Sequence, residues 1–161
     1  MIRLVRWVAR LLGAPASRWA DFRDALDAYA LGDYHTALRV FMPMAEAGYV
    51  AAQTNMALMY CKGQGVPRDY AEAFKWYLRA AKQGDAYAQL STGFMYEEGE
   101  GVPQDNTQAY KWLTLSYEGR LSGWREGVIA RDRVAGKMSV AEIDAAEQLV
   151  RDFVPKMERF I

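Results

Sequence analysis

One cysteine, Cys61, and one histidine, His35, stand in the whole chain. A single thiol cannot close an intramolecular disulfide, and zinc sites built from several cysteines are excluded. A histidine cluster is excluded by the same count. His35 falls just inside a helical stretch beside Thr36 and is expected to face solvent. Cys61 has no histidine near it in sequence, which favours a partly buried, inert thiol. An excess of charge is lacking too: 20 Lys and Arg balance 20 Asp and Glu, so no general attraction to nucleic acid is implied. No apolar run approaches the ~18–20 uninterrupted residues of a spanning helix. What is present suits a folded domain. Of 161 residues, 52% are hydrophobic and 25% charged, enough for one buried core and too apolar for disorder.

The zero net charge hides a gradient. Residues 1–20 carry Arg3, Arg6, Arg10 and Arg18 without an acid, leaving 16 basic and 20 acidic residues behind them. The opening MIRLVRWVARLLGAPA fits three readings. It has the outline of a secretory signal, with Ala14-Pro15-Ala16 as a small-residue cleavage site, although Arg6 and Arg10 interrupt its apolar core. Arg3, Arg6 and Arg10 also share one arc of a helix opposite Val5, Val8 and Leu12. That is the pattern of a helix lying on an anionic membrane, which would place membrane contact in Met1–Leu12. The third reading is a helix packed on its neighbours with arginines in water.

The chain repeats itself. An offset of 36 residues aligns Gly48 with Gly84, Ala52-Gln53 with Ala88-Gln89, and Met59-Tyr60 with Met95-Tyr96. The same offset aligns GQGVPRD (Gly63–Asp69) with GEGVPQD (Gly99–Asp105), and then Ala73, Lys75 and Trp76 with Ala109, Lys111 and Trp112. Each copy reads as helix, loop, helix. Ala52, Met56, Ala57 and Tyr60 mark one apolar face, and Ala73, Trp76, Tyr77, Ala80 and Ala81 mark the next. Asp69 and Asp105 are N-caps for the second helices, with Glu72 and Gln108 three residues on to complete capping boxes. Small residues at Ala57/Gly93 and Ala73/Ala109 would let helices approach closely. Tyr60/Tyr96 and Trp76/Trp112 would fill the space between layers.

A Gly-rich loop before a helix can also cradle a phosphate. Here a helix precedes the loop, no Lys-Ser/Thr pair follows it, and Asp69 or Asp105 at the helix entrance would repel an anion. The glycines Gly63, Gly65, Gly99 and Gly101 therefore read as a joint between helices.

The chain resembles the Sel1-like repeat family, through A-x-A-Q at Ala86–Gln89, G-x-x-Y at Gly93–Tyr96, G-x-G-V at Gly99–Val102, Asp105, and A-x-K-W at Ala109–Trp112. Ala57 and Thr92 depart mildly from that pattern, standing where the family usually has glycine and leucine. The resemblance implies an all-α fold, a right-handed α-solenoid of antiparallel, tetratricopeptide-like helix pairs. It also implies a bacterial, non-enzymatic interaction scaffold, with no catalytic, metal or cofactor site and a protein or peptide partner. Many bacterial members act in or near the envelope, so a periplasmic or otherwise exported location is expected, with a cytoplasmic, membrane-associated one as the alternative. An envelope hydrolase is the remote rival, and no catalytic set supports it.

The organisation expected is a signal-like or amphipathic segment (1–17), a degenerate helix pair (18–47), two repeats (48–83 and 84–120) and capping helices (121–161). In the degenerate pair, Asp33 and Ala37 precede Asp69 and Ala73 by one period, and Pro43 should kink or end the second helix. In the last unit Ser139 and Glu142 form a further capping box. In two-helix solenoids the first helices line the groove. Thr54 and Leu58 lie there in the first repeat, and Tyr87, Leu90, Phe94 and Glu97 in the second. Tyr87, Leu90 and Phe94 form one apolar strip, either open to a partner or covered by a flanking helix. Glu97, Glu98 and Glu100 read as a solvated rim. Intact mass of the mature protein from its native host tests the export reading: loss of the chain through Ala16 or Ala20 is expected, whereas retention of Met1 would rule it out.

Overall fold

A computed structural model describes residues 15–118 and 125–158. The segment Met1–Leu12, with its signal and membrane-surface readings, lies outside the described residues. Among those described there are eight α-helices and no strand: α1 (Pro15–Ala30), α2 (Tyr34–Glu46), α3 (Val50–Lys62), α4 (Tyr70–Lys82), α5 (Ala86–Glu98), α6 (Asn106–Tyr117), α7 (Arg125–Ala135) and α8 (Val140–Arg151). None is long and apolar enough to cross a membrane.

The repeated loop is built twice from the same bonds. Gly63 ends α3 in the left-handed conformation (φ 67°), and the Gln64 N–H reaches back to Met59 O at 2.9 Å. Gly99 ends α5 likewise (φ 74°), with Glu100 N–H on Met95 O at 3.0 Å. These bonds satisfy carbonyls that a helix end otherwise leaves open. The loop then closes on the same helix, with Asp69 N–H on Tyr60 O at 3.1 Å and Asp105 N–H on Tyr96 O at 3.0 Å.

Both aspartates cap. The Asp69 carboxylate accepts from the N–H groups of Ala71 and Glu72 at 2.9 and 3.0 Å, and Asp105 accepts from Gln108 N–H at 3.0 Å. The expected reciprocal half of these two capping boxes does not form. The cap N–H groups are already spent on Tyr60 and Tyr96, and Glu72 pairs with Lys75 instead. Ser139 has no such competitor, and its box with Glu142 is complete.

Pairs stack through a buried glutamine. Gln53 Nε2 donates to Ala45 O, near the end of α2, and Gln89 Nε2 donates to Ala81 O, near the end of α4, both at 3.2 Å. Three apolar layers result. Phe22, Phe41, Met56 and Met59 fill the first; Tyr77, Ala81, Met95 and Trp112 the second; Leu90, Leu113, Ala130 and Val134 the third. Tyr60 and Trp76 touch both the first and second layers, and Tyr96 touches the second and third. Trp112 is buried outright, a residue whose truncation in a core costs about 3–5 kcal/mol. Thr92 is also buried, with its hydroxyl unpartnered.

A tight turn at Gly32 connects α1 to α2, α2 packs on α3, and Asp33 caps α2 by accepting from Thr36 N–H at 3.1 Å. Pro43 does not end α2, which continues to Glu46. At so late a position the proline removes one donor, and a single turn follows it. At the other end, α7 and α8 both pack on α6. Beyond α8 the chain leaves helical structure at Phe153, whose ring meets Trp112 edge-on at 5.5 Å.

The second glycine of each loop serves close approach as well as conformation. A Cβ at Gly101 would lie 2.1 Å from Tyr70 O at the start of α4, and one at Gly65 would lie 2.9 Å from Tyr34 Cβ at the start of α2. A Cβ at Gly99 meets only ordinary contacts, the nearest at 3.5 Å. Gly99→Ala should therefore cost about 1–2 kcal/mol for left-handed strain, and Gly101→Ala distinctly more, as layers must separate. Equal losses in urea unfolding would contradict this.

Candidate partner-binding face

Helix α5 carries the strip singled out above, and its own cap fixes the orientation. Asp85 accepts from Ala88 N–H at 2.8 Å and from the Thr54 hydroxyl at 3.4 Å, which links the starts of α5 and α3. Thr54 and Leu58 are half-buried on α3.

The strip is divided rather than uniform. Tyr87 is 45% exposed, its ring 6.2 Å from that of Tyr77. Burial raises the Tyr77 phenol far above the usual range, with Tyr87 adding to the shift, so Tyr77 stays neutral and packs as a core group. Leu90 is buried against the layer containing Ala130 and Val134 of α7. Phe94 is half-buried at the edge of that layer. It lines a shallow cleft of about 370 Å³ with Arg125, Glu126, Ile129, Ala130 and Arg133. Ile129 is 56% exposed there. Helix α7 thus covers the middle of the strip and leaves apolar groups showing at both ends.

Glu97 corrects the sequence reading. Glu98 and Glu100 are exposed, but Glu97 is only 4% exposed. Its carboxylate accepts from Arg133 Nε at 2.8 Å and Nη2 at 2.6 Å, and from Lys137 Nζ at 3.1 Å. The Arg133 hydrogen bonds hold the Glu97 pKa below the usual carboxylate range against the effect of burial, and Lys137 reinforces them. A cue was present: Arg133 follows Glu97 by one 36-residue period, the offset at which stacked helices bring equivalent positions together. Glu97 clamps α7 in place and is not free for a partner.

The structural residues sit where the loops and layers need them. Gly63, Gly65, Asp69, Gly99, Gly101 and Asp105 form the joints, and Tyr60, Trp76 and Tyr96 lie between layers, whereas Trp112 is buried within the second layer instead of bridging to the third. Ile129, Arg133 and Lys137 were missed. His35 is exposed. Burial raises the Cys61 thiol, and Glu100 raises it further, which makes a reactive thiolate unfavourable. Among the described residues, no group of three His, Cys, Asp or Glu side chains is placed to hold a metal ion.

Stacked helix pairs with a shallow apolar cleft beside the last of them define a helical-repeat protein. The chain carries two Sel1 repeats, matched by the model of that family at residues 50–85 and 86–120. Sel1 repeats typically act as protein-interaction scaffolds. Solved structures agree. The crystal structure of c5321, a protective antigen present in uropathogenic Escherichia coli strains displaying an SLR fold, aligns with 88% of this chain at 26% identity and a TM-score of 0.78. A Sel1 repeat protein from Oxalobacter formigenes aligns with 75% of it at 28% identity and a TM-score of 0.57. The chain spans 30% of the first protein and 57% of the second. A comparison with curated proteins returned no match.

Arg133→Ala should destabilise the fold by about 1.5–3 kcal/mol at pH 7, the range for hydrogen bonds to a charged group. The Glu97 pKa is lowered on folding, so its stabilisation is present above the unfolded carboxylate pKa and lost as pH falls through the folded one. The gap between wild type and variant in urea titrations should narrow in acid. A gap independent of pH would contradict the clamp.

Proposed function

We propose that the chain is a non-enzymatic scaffold that holds a protein or peptide partner along the α5–α7 face. The Phe94–Ile129 cleft carries this reading. Both side chains present apolar surface to water, and Arg125, Glu126 and Arg133 line the same cleft. An apolar centre with a charged edge is the usual make-up of a docking patch. Tyr87 adds an aromatic anchor near the start of α5. Thr54 and Leu58 extend the surface on to α3. The family's usual role supports the same reading. Export to the envelope is part of the proposal and rests on Ala14-Pro15-Ala16 and the arginines before it.

A photo-crosslinking residue placed at Tyr87 or Ile129 in the native host should give discrete adducts, and one at exposed Asp144 on α8 should give none. Equal labelling at all three positions would overturn the assignment.

A further inference from the structure

A short segment after α8 behaves as a bound peptide. From Phe153 to Glu158 the chain is non-helical and runs back over the first repeat. Lys156 N–H donates to Lys82 O at 2.9 Å, and Glu158 N–H donates to Gln83 Oε1 at 2.9 Å. The Glu158 carboxylate accepts from Arg79 Nε at 3.1 Å, Arg79 Nη2 at 2.6 Å and Gln53 Nε2 at 3.0 Å.

The seat is organised by groups that do not belong to the segment. Arg79 lies over the Trp76 ring, 4.8 Å from its centroid, with Nη2 also 3.4 Å from Glu46 O. Gln83 Nε2 donates to Gly48 O at 3.2 Å and to Gln53 Oε1 at 2.8 Å, so its own oxygen is aimed at the incoming N–H. Both glutamines are buried. Bare glycine backbone forms the floor: a Cβ at Gly84 would stand 3.6 Å from Pro155, and one at Gly48 would stand 2.8 Å from Glu158.

The spacing follows from geometry. Pro155 meets the glycine of one repeat junction, and Glu158 meets the equivalent glycine of the junction before it. An extended chain rising ~3.1 Å per residue covers roughly 9 Å in three residues. Packed helices lie about 8–10 Å apart, so three residues advance the segment by about one layer. Two backbone bonds and one partly exposed carboxylate secure it. Val154 and Met157, three residues apart, point their apolar side chains into water. The Phe153 ring, edge-on to Trp112, is its one packed apolar anchor, and little other apolar burial would be lost if residues 154–158 lifted away. The carboxylate seat is particular to the first repeat, because Leu115 stands one period after Arg79.

We propose that this track is a second binding site, distinct from the α5–α7 face. It takes an extended partner segment with a carboxylate side chain three residues after a proline or similarly compact residue. The chain's own tail is its resident occupant, released when the partner segment is bound.

The test uses the full-length chain and a fluorescein-labelled, amidated peptide of residues 152–158. The tethered tail competes at an effective concentration near millimolar. Wild type should therefore bind the peptide at least about tenfold more weakly than the Glu158→Ala chain, whose tail has lost its anchor. A peptide carrying Gln at position 158 should lose about tenfold or more in affinity for the Glu158→Ala chain. It challenges the same contact without altering the protein's folding. Adding Arg79→Ala should abolish the preference for the Glu peptide over the Gln peptide. Crosslinking at Tyr87 and Ile129 should be unchanged by the peptide, which separates this site from the other face. Equal peptide affinity for wild type and Glu158→Ala, or no discrimination between the Glu and Gln peptides, would overturn the proposal.

Discussion

A helix end leaves its last carbonyls without partners, and in a stacked solenoid those carbonyls sit against the next layer, away from water. Here the turn amides of Gly48 and Gly84 and one buried side chain share that task at each of two junctions. Gln53 bonds Ala45 O and Gln89 bonds Ala81 O, each glutamine on the first helix of one pair and each carbonyl in the last turn of the pair before. The bond works only at one register. Alanines at 45, 52, 81 and 88 keep the junction narrow enough to reach it, all of them buried. Much of the remaining structure follows from that closeness. Gly65 and Gly101 have no room for a side chain, and Gly93 would place a Cβ 2.7 Å from Leu113.

Stacking of this kind has no natural stopping point, because every layer presents an apolar face to the next. The third layer is closed by α7 and α8, which supply Ala130, Val134 and Ala146. Glu97 binds Arg133 and Lys137, so α7 is held by charge as well as by apolar contact. The closure is incomplete at the edge, where Phe94 and Ile129 remain accessible. Accessible apolar surface beside a rigid repeat is what an interaction protein has to offer. The tail completes the picture from the opposite direction: it shows the repeat edge engaging an extended chain through backbone and carboxylate alike.

Local features were legible because their physics is local. The helix pairs, the joints at Gly63–Asp69 and Gly99–Asp105, the caps at Asp69, Asp105 and Ser139, and the interlayer aromatics all depend on residues a few positions apart. Three readings needed distant information. The Asp69 and Asp105 capping boxes looked complete by spacing, but their cap amides bond Tyr60 and Tyr96 across the loop. Glu97 looked like part of an acidic rim until Arg133 on α7 and Lys137 in the turn after it came beside it. Leu90 had two futures in the sequence, open or covered, and α7 decided between them.

The sequence by itself determined the period, the pairing of helices within the two repeats and the joints at Gly63–Asp69 and Gly99–Asp105, because a repeat states its own neighbours at a constant offset. Only the tertiary structure decided which parts of the α5 strip remain accessible and what the tail touches. Those outcomes depend on how the last, non-repeating residues fold back on the array. Arg79 and Glu158 are 79 residues apart and share no motif. Their meeting depends on the path of a segment with no helical periodicity to announce it, seated on a floor of glycines whose pattern marks only the repeat.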